Sequence, residues 1–91
     1  MSIRLSILDQ SPISEGQTAR EALFNTVELV KKAEEWGFTR FWVSEHHDTP
    51  TLAGSSPEIL MSYLASVTSK IRIGSGGVML THYAPFKVAE N

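Results

Sequence analysis

Residues 39–48, TRFWVSEHHD, decide the fold. The segment 39–45 is rich in aromatics and valine, a composition that suits a pleated, half-buried strand. Alternate residues of a strand share a face. Counting from Trp42 puts Trp42, Ser44 and His46 on one face. Phe41 and Val43 take the other, more apolar face, which suits packing against helices. The polar run Glu45-His46-His47 then falls at the C-terminal end of the strand.

Working outward, the same pattern repeats on both sides. Upstream, residues 3–9 (IRLSILD) place Ile3, Leu5 and Ile7 at a period of two, and Pro12 ends that strand. Thr18 and Glu21 have the spacing of a capping box, so a helix opens at Thr18. Leu23, Val27, Val30 and Ala33 form its apolar stripe. Lys31 and Lys32 sit where the helix dipole favours cations, and Gly37 supplies the left-handed stop. Downstream, Ser56-Pro57-Glu58 reads as N-cap, first helical residue and dipole-matched acid. That helix runs to about Ser69, with Leu60, Tyr63, Leu64 and Val67 as its stripe. Residues 71–80 (IRIGSGGVML) form a third strand with a glycine-rich break, and Pro85 begins a third helix.

Strand starts near residues 3, 40 and 71 lie 37 and 31 residues apart. These are natural lengths for β-α-β units, whose crossovers make the strands parallel. The fold class is therefore α/β. A (β/α)8 barrel and a doubly wound sheet both accommodate the unit, and both carry their chemistry at the C-terminal strand edge. Here that edge collects Asp9, Gln10 and Ser11, then Glu45, His46 and His47, then Ser75, Gly76 and Gly77.

Composition narrows the function classes. The 91 residues carry 42% hydrophobic and 20% charged side chains, as in an ordinary folded domain. A net charge of −2 offers no basic patch for nucleic acid. There is no cysteine, which excludes disulfides and thiolate metal sites. No apolar run approaches the roughly 18 residues of a membrane span, and the N-terminal residues do not read as a signal peptide. A cytoplasmic protein is the expectation.

Each candidate site residue has a bland reading beside the chemical one. His46 and His47 point to opposite sides of an extended chain, so no metal is expected there. His46 is either a hydrogen-bonded histidine at a strand end or, in a barrel, a group at the mouth available for acid–base work. Gly74-Ser75-Gly76-Gly77 lies inside a strand rather than between a strand and a helix, unlike the dinucleotide-binding fingerprint. The glycines mark a bulge, or a place where a ligand lies against the backbone. His82 and Tyr83 face either a ligand or solvent. Tyr63 and Trp36 read as packing residues, and Arg4 and Arg72, at strand starts, as stability residues.

FWVSEHHDTP, preceded by EEWGF and followed by KIRIGSGGVMLTHYAPFKVAEN, resembles the luciferase-like flavin monooxygenase family over essentially the whole chain. The opening LSILDQSP is similar to its single-component-type bacterial branch. The resemblance implies that residues 1–91 are the N-terminal β-α-β-α-β part of a (β/α)8 barrel that binds FMN at its C-terminal mouth. It implies that His46 lies near the reactive flavin edge with the acid Glu45 beside it, as the catalytic pair. Gln10, Ser75, Gly76 and Gly77 become the cofactor-binding positions, and His47 matters less. The bond between Gly76 and Gly77 matches a non-proline cis peptide of the family. Thr81 departs from the proline that many relatives carry there. The implied reaction is oxidation of a small organic substrate by O2 with reduced FMN, supplied through NAD(P)H and a separate flavin reductase. A deazaflavin-dependent hydride-transfer enzyme and a non-catalytic flavin-binding protein are the alternatives. The family also implies a homodimer, formed through the helices after the second and third strands.

A full barrel takes about 250 residues, so the isolated chain is expected to be inactive. The edge of its third strand also invites aggregation.

Overall fold

The computed structural model describes residues 2–91. Three parallel strands, β1 (Ser6–Leu8), β2 (Arg40–Val43) and β3 (Arg72–Ser75), form one sheet in the order β1-β2-β3. Helix α1 (Ala19–Glu35) connects the first pair and α2 (Pro57–Ser66) the second. A short 3-10 turn at Leu80–His82 leads into α3 (Pro85–Glu90).

Sequential strand order decides between the two architectures left open by the sequence. A doubly wound sheet reverses its strand order and carries helices on both faces. Here both helices pack on one face. Val27, Val30 and Ala33 of α1 join Phe41 and Val43 of β2, Leu64 of α2 and Ile71 in a single buried cluster. Ile7 and Ile73 pack against it from the outer strands. Register puts Ile7, Phe41 and Ile73 side by side, and Leu8, Trp42 and Gly74 side by side on the opposite face. Right-handed crossovers in this order curl the sheet in one direction, as in a (β/α)8 barrel.

Local signals account for α1. The Thr18 hydroxyl accepts the Glu21 amide at 3.1 Å, and the Glu21 carboxylate accepts the Thr18 amide at 3.4 Å. Gly37 adopts φ +85°, where a side chain would be strained. The stripe is rotated slightly from expectation. Ala22 and Thr26 are buried with Val27, Val30 and Ala33, while Leu23 is only half-buried.

Three elements are shorter than the sequence suggests. The periodicity predicts β1 over residues 3–9, but the paired register begins at Ser6 opposite Arg40, with a last bond from the Thr39 amide to the Leu5 carbonyl at 2.8 Å just before it. Ile3 is accordingly 80% exposed. α2 stops at Ser66 rather than near Ser69 because a side chain from α1 claims the next amides. Glu34 Oε2 accepts the backbone N–H groups of Ser69, Lys70 and Ile71 at 2.8, 2.6 and 3.0 Å. These three bonds pull the Glu34 carboxyl below its usual range. Ser56 precedes Pro57 as expected, but its hydroxyl makes no capping bond. β3 ends at Ser75, and the chain leaves the ladder at Gly76.

Candidate functional site

The alternation seen at 41–43 continues beyond the end of β2. Phe41, Val43 and Glu45 are buried, while Trp42, Ser44 and His46 are only half-buried. The two sets of side chains therefore meet different surroundings. On the face away from the helices, the ring of Trp42 lies across Gly74. A β-carbon at Gly74 would sit 2.9 Å from Trp42 Cζ3, so glycine is what lets the indole lie there. Further along that face, Ser44 Oγ and His46 Nε2 are both buried and both lack a hydrogen-bond partner. Buried polar atoms are nearly always satisfied in folded proteins, so this pair is an exception that calls for a partner.

The loop after β1 is tied down beside them. Ser11 is buried in a left-handed conformation at φ 52°. Its hydroxyl meets Thr26 Oγ1 at 2.7 Å, and Thr26 donates to Asp9 Oδ2 at 2.5 Å. Pro12 bridges antiparallel to Leu52, and the Ala53 amide donates to the Ser11 carbonyl at 2.9 Å. The His46 amide donates to the Gly54 carbonyl at 2.8 Å. Gly54 is packed so closely that a β-carbon would lie 3.1 Å from the Ser44 carbonyl oxygen. The loops after β1 and β2 thus form one ordered rim, with Gln10 exposed on it.

The rim after β3 is more open. Gly76 donates its amide to the Val43 carbonyl at 2.9 Å, which sets the glycine pair alongside Ser44 and Glu45. The Ser75 hydroxyl is spent locally, on the Gly77 carbonyl. A β-carbon at Gly77 would meet nothing within 4 Å. All peptide bonds among the described residues are trans, so the cis bond implied at Gly76-Gly77 is absent. Such a bond costs about 3–4 kcal/mol and needs surroundings that enforce it. Here both glycines are exposed.

The chain belongs to the luciferase-like monooxygenase family. The family model matches residues 3–91. An N-acetyl-S-alkylcysteine monooxygenase of Bacillus subtilis is 61% identical over 97% of the chain and 26% of its own length. The crystal structure of apo-MsnO8 superposes with a TM-score of 0.92 at 46% identity, over 98% of the chain and 27% of its own. A type II Baeyer-Villiger monooxygenase from a Pseudomonas putida plasmid, solved in complex with FMN, superposes with a TM-score of 0.88 over 97% of the chain and 24% of its own. At 22% identity, that last match speaks for the fold alone. The chain thus spans about a quarter of the length of the relatives it matches.

Within this luciferase-like monooxygenase segment, the structure separates the expected catalytic pair. His46 keeps to the face of Ser44 and Trp42. Glu45 is 5% exposed on the other side, where Oε2 meets His47 Nε2 at 2.6 Å and Oε1 accepts the Met79 amide at 3.1 Å. The His47 hydrogen bond, helped by the Met79 amide, draws the Glu45 carboxyl below its usual range against the opposing effect of burial. His47, expected to matter less, is therefore the partner of the buried acid. Its ring also packs edge-on to His82, with centroids 4.9 Å apart. Tyr83, left open between ligand and solvent, donates its hydroxyl to both Glu58 oxygens at 3.0 and 3.1 Å. The pleat puts Ser44 on the face of Trp42 and His46, but its missing partner is a property of burial, which sequence does not display.

Proposed function

We propose that the chain is the N-terminal part of an FMN-dependent monooxygenase, with FMN seated on the sheet face that carries Trp42, Ser44 and His46. The observation that carries this reading is the pair of partnerless buried atoms, Ser44 Oγ and His46 Nε2, just past the Val43 carbonyl that holds the exposed Gly76-Gly77 segment. A flat ring with polar edges would supply the missing partners and lie against the glycines. When bound, reduced FMN supplies the activation of O2. The chain's own residues orient and protect. His46 holds or moves a proton at Nε2, a task worth about 10²–10⁴-fold in rate for a positioned acid–base group. Ser44 orients, Trp42 and the ordered rim exclude water, and Gln10 reaches the mouth. Reduced flavin would come from a separate NAD(P)H-dependent reductase. The exposed Ile59 and Tyr63 of α2 and Phe86 of α3 support a homodimer in the full-length protein.

The test uses the full-length protein with N-acetyl-S-alkylcysteines as first substrates, following the relative of that specificity. FMN affinity and product formation are measured separately. His46→Ala should weaken flavin affinity by no more than about tenfold, the scale of one lost hydrogen bond, and cut turnover about 10²–10⁴-fold. Gly77→Val should abolish FMN binding with secondary structure intact, since the new side chain has room in the protein itself. Tight binding of a deazaflavin with no spectral response to FMN would overturn the proposal, as would normal turnover in His46→Ala.

A further inference from the structure

The loop between β3 and α3 has few means of holding its shape. Val78, Met79 and Leu80 are 43, 42 and 55% exposed, so apolar burial contributes little. Most of its backbone bonds are local: Leu80 to Val78, His82 to Met79 and Tyr83 to Leu80. Its ends are fastened elsewhere, at Gly76 to Val43 and at Tyr83 to Glu58. Between those ends, the Met79 amide is tied to the buried Glu45 carboxylate.

That carboxylate is itself held. An ionised carboxylate only accepts, so the 2.6 Å contact requires His47 to donate from Nε2. The His47 side chain is 40% exposed, whereas that of Glu45 is 1% exposed, so the imidazole lies between the acid and solvent. His82, from the far part of the loop, packs against the same imidazole. One carboxylate thus receives one bond from the β2 end and one from the middle of the β3–α3 loop, with both oxygens engaged.

We infer that Glu45 and His47 are positioning residues, a clamp that fixes the β3–α3 loop beside the Gly76-Gly77 backbone rather than a pair that touches the reacting atoms. The clamp's use in orienting flavin and substrate rests on the FMN reading above; its mechanical role does not.

The experiment is hydrogen exchange on the full-length protein without flavin, followed by kinetics with it. His47→Ala should speed exchange of the Met79 amide by about tenfold or more, the scale of losing a charge-assisted hydrogen bond. His47→Gln places an N–H donor near the position of Nε2 and should restore slow exchange. His46→Ala should leave Met79 unchanged. In turnover, His47→Ala should raise KM and the FMN dissociation constant while kcat changes less, and His47→Gln should reverse this. Glu45→Ala should match His47→Ala at Met79, with circular dichroism showing whether the fold survives. If it does not, the surface-facing His47 variants carry the test alone. Unchanged Met79 exchange in His47→Ala, or no recovery in His47→Gln, overturns the clamp. Because exchange is read without flavin, failure to bind FMN would sink the functional proposal and leave the exchange result intact.

Discussion

The two faces of the same three strands differ sharply. Toward the helices, Phe41, Val43, Leu64, Val30 and Ala33 are all 0% exposed. On the opposite face Leu8 is 58% exposed, Trp42 is half-buried over Gly74, and two polar atoms lie buried without partners. One face is a finished core. The other has apolar surface and unmet hydrogen-bonding capacity, as a face does when its complement lies in other strands or in a ligand. In this family's (β/α)8 barrel that face is the interior. The difference teaches that alternation along β2 gives neighbouring residues different surroundings: Phe41 and Val43 complete the core, while Trp42 and Ser44 face the side that is still open.

The sharpest way to break that comparison is a pair of truncations. Phe41→Ala on the finished face should cost about 3–5 kcal/mol in urea unfolding, by lost transfer energy and a residual cavity. Leu8→Ala on the open face should separate two lengths of protein. In the 91-residue chain it should stay within about 0.5 kcal/mol, as a surface change does. In the full-length protein, where the face becomes interior, it should cost about 2–5 kcal/mol. Equal costs at both lengths would show that the open face stays open.

A smaller effect is expected at Gly74. Its β-carbon would press on Trp42 at 2.9 and 3.1 Å, so Gly74→Ala must displace the indole. The expected loss is about 1–3 kcal/mol, with a shift in Trp42 fluorescence read in a Trp36→Phe background. Trp42→Leu should relieve most of that loss. If it does not, the strain lies in the backbone and the face is not organised around the indole.

The gentlest test concerns pH on the finished side, where Glu34 ties α1 to the start of β3. Its folded-state pKa is lowered from 4.5, so its stabilising contribution is full above that value and disappears as pH falls through the lowered one. Urea midpoints measured from about pH 6 to about pH 3 should decline, and Glu34→Ala should flatten part of that decline. An identical slope in the variant would mean that other carboxylates, Glu45 included, carry the acid sensitivity.

Much of this was legible in the chain. Strand, helix, strand, helix, strand in parallel order followed from periodicity and spacing. The cap at Thr18, the stop at Gly37 and the helix start at Pro57 followed from residue chemistry at fixed offsets. The polar strand edge was legible as a location: counting alone puts His46 and the glycine pair beyond the strand ends, and β2 ends at Val43 and β3 at Ser75. Its wiring was not. The resemblance set Glu45 beside His46 as a pair, yet the burial alternation of β2 carries on past its end and buries Glu45 while His46 stays half-buried.

By itself, the sequence determined which residues face together, where α1 is capped and stopped, and which edge carries the polar groups. Those properties depend on covalent geometry within a few residues, and a pleat or a helical turn is the same in any surroundings. Only the tertiary structure decided that α2 ends at Ser66, that His47 rather than His46 holds Glu45, and that Ser44 is left without a partner. Glu34 reaches amides at 69–71, and Glu45 reaches the amide at Met79. Such bonds form between groups that the chain's path brings together, and burial strips water from whatever remains unpaired.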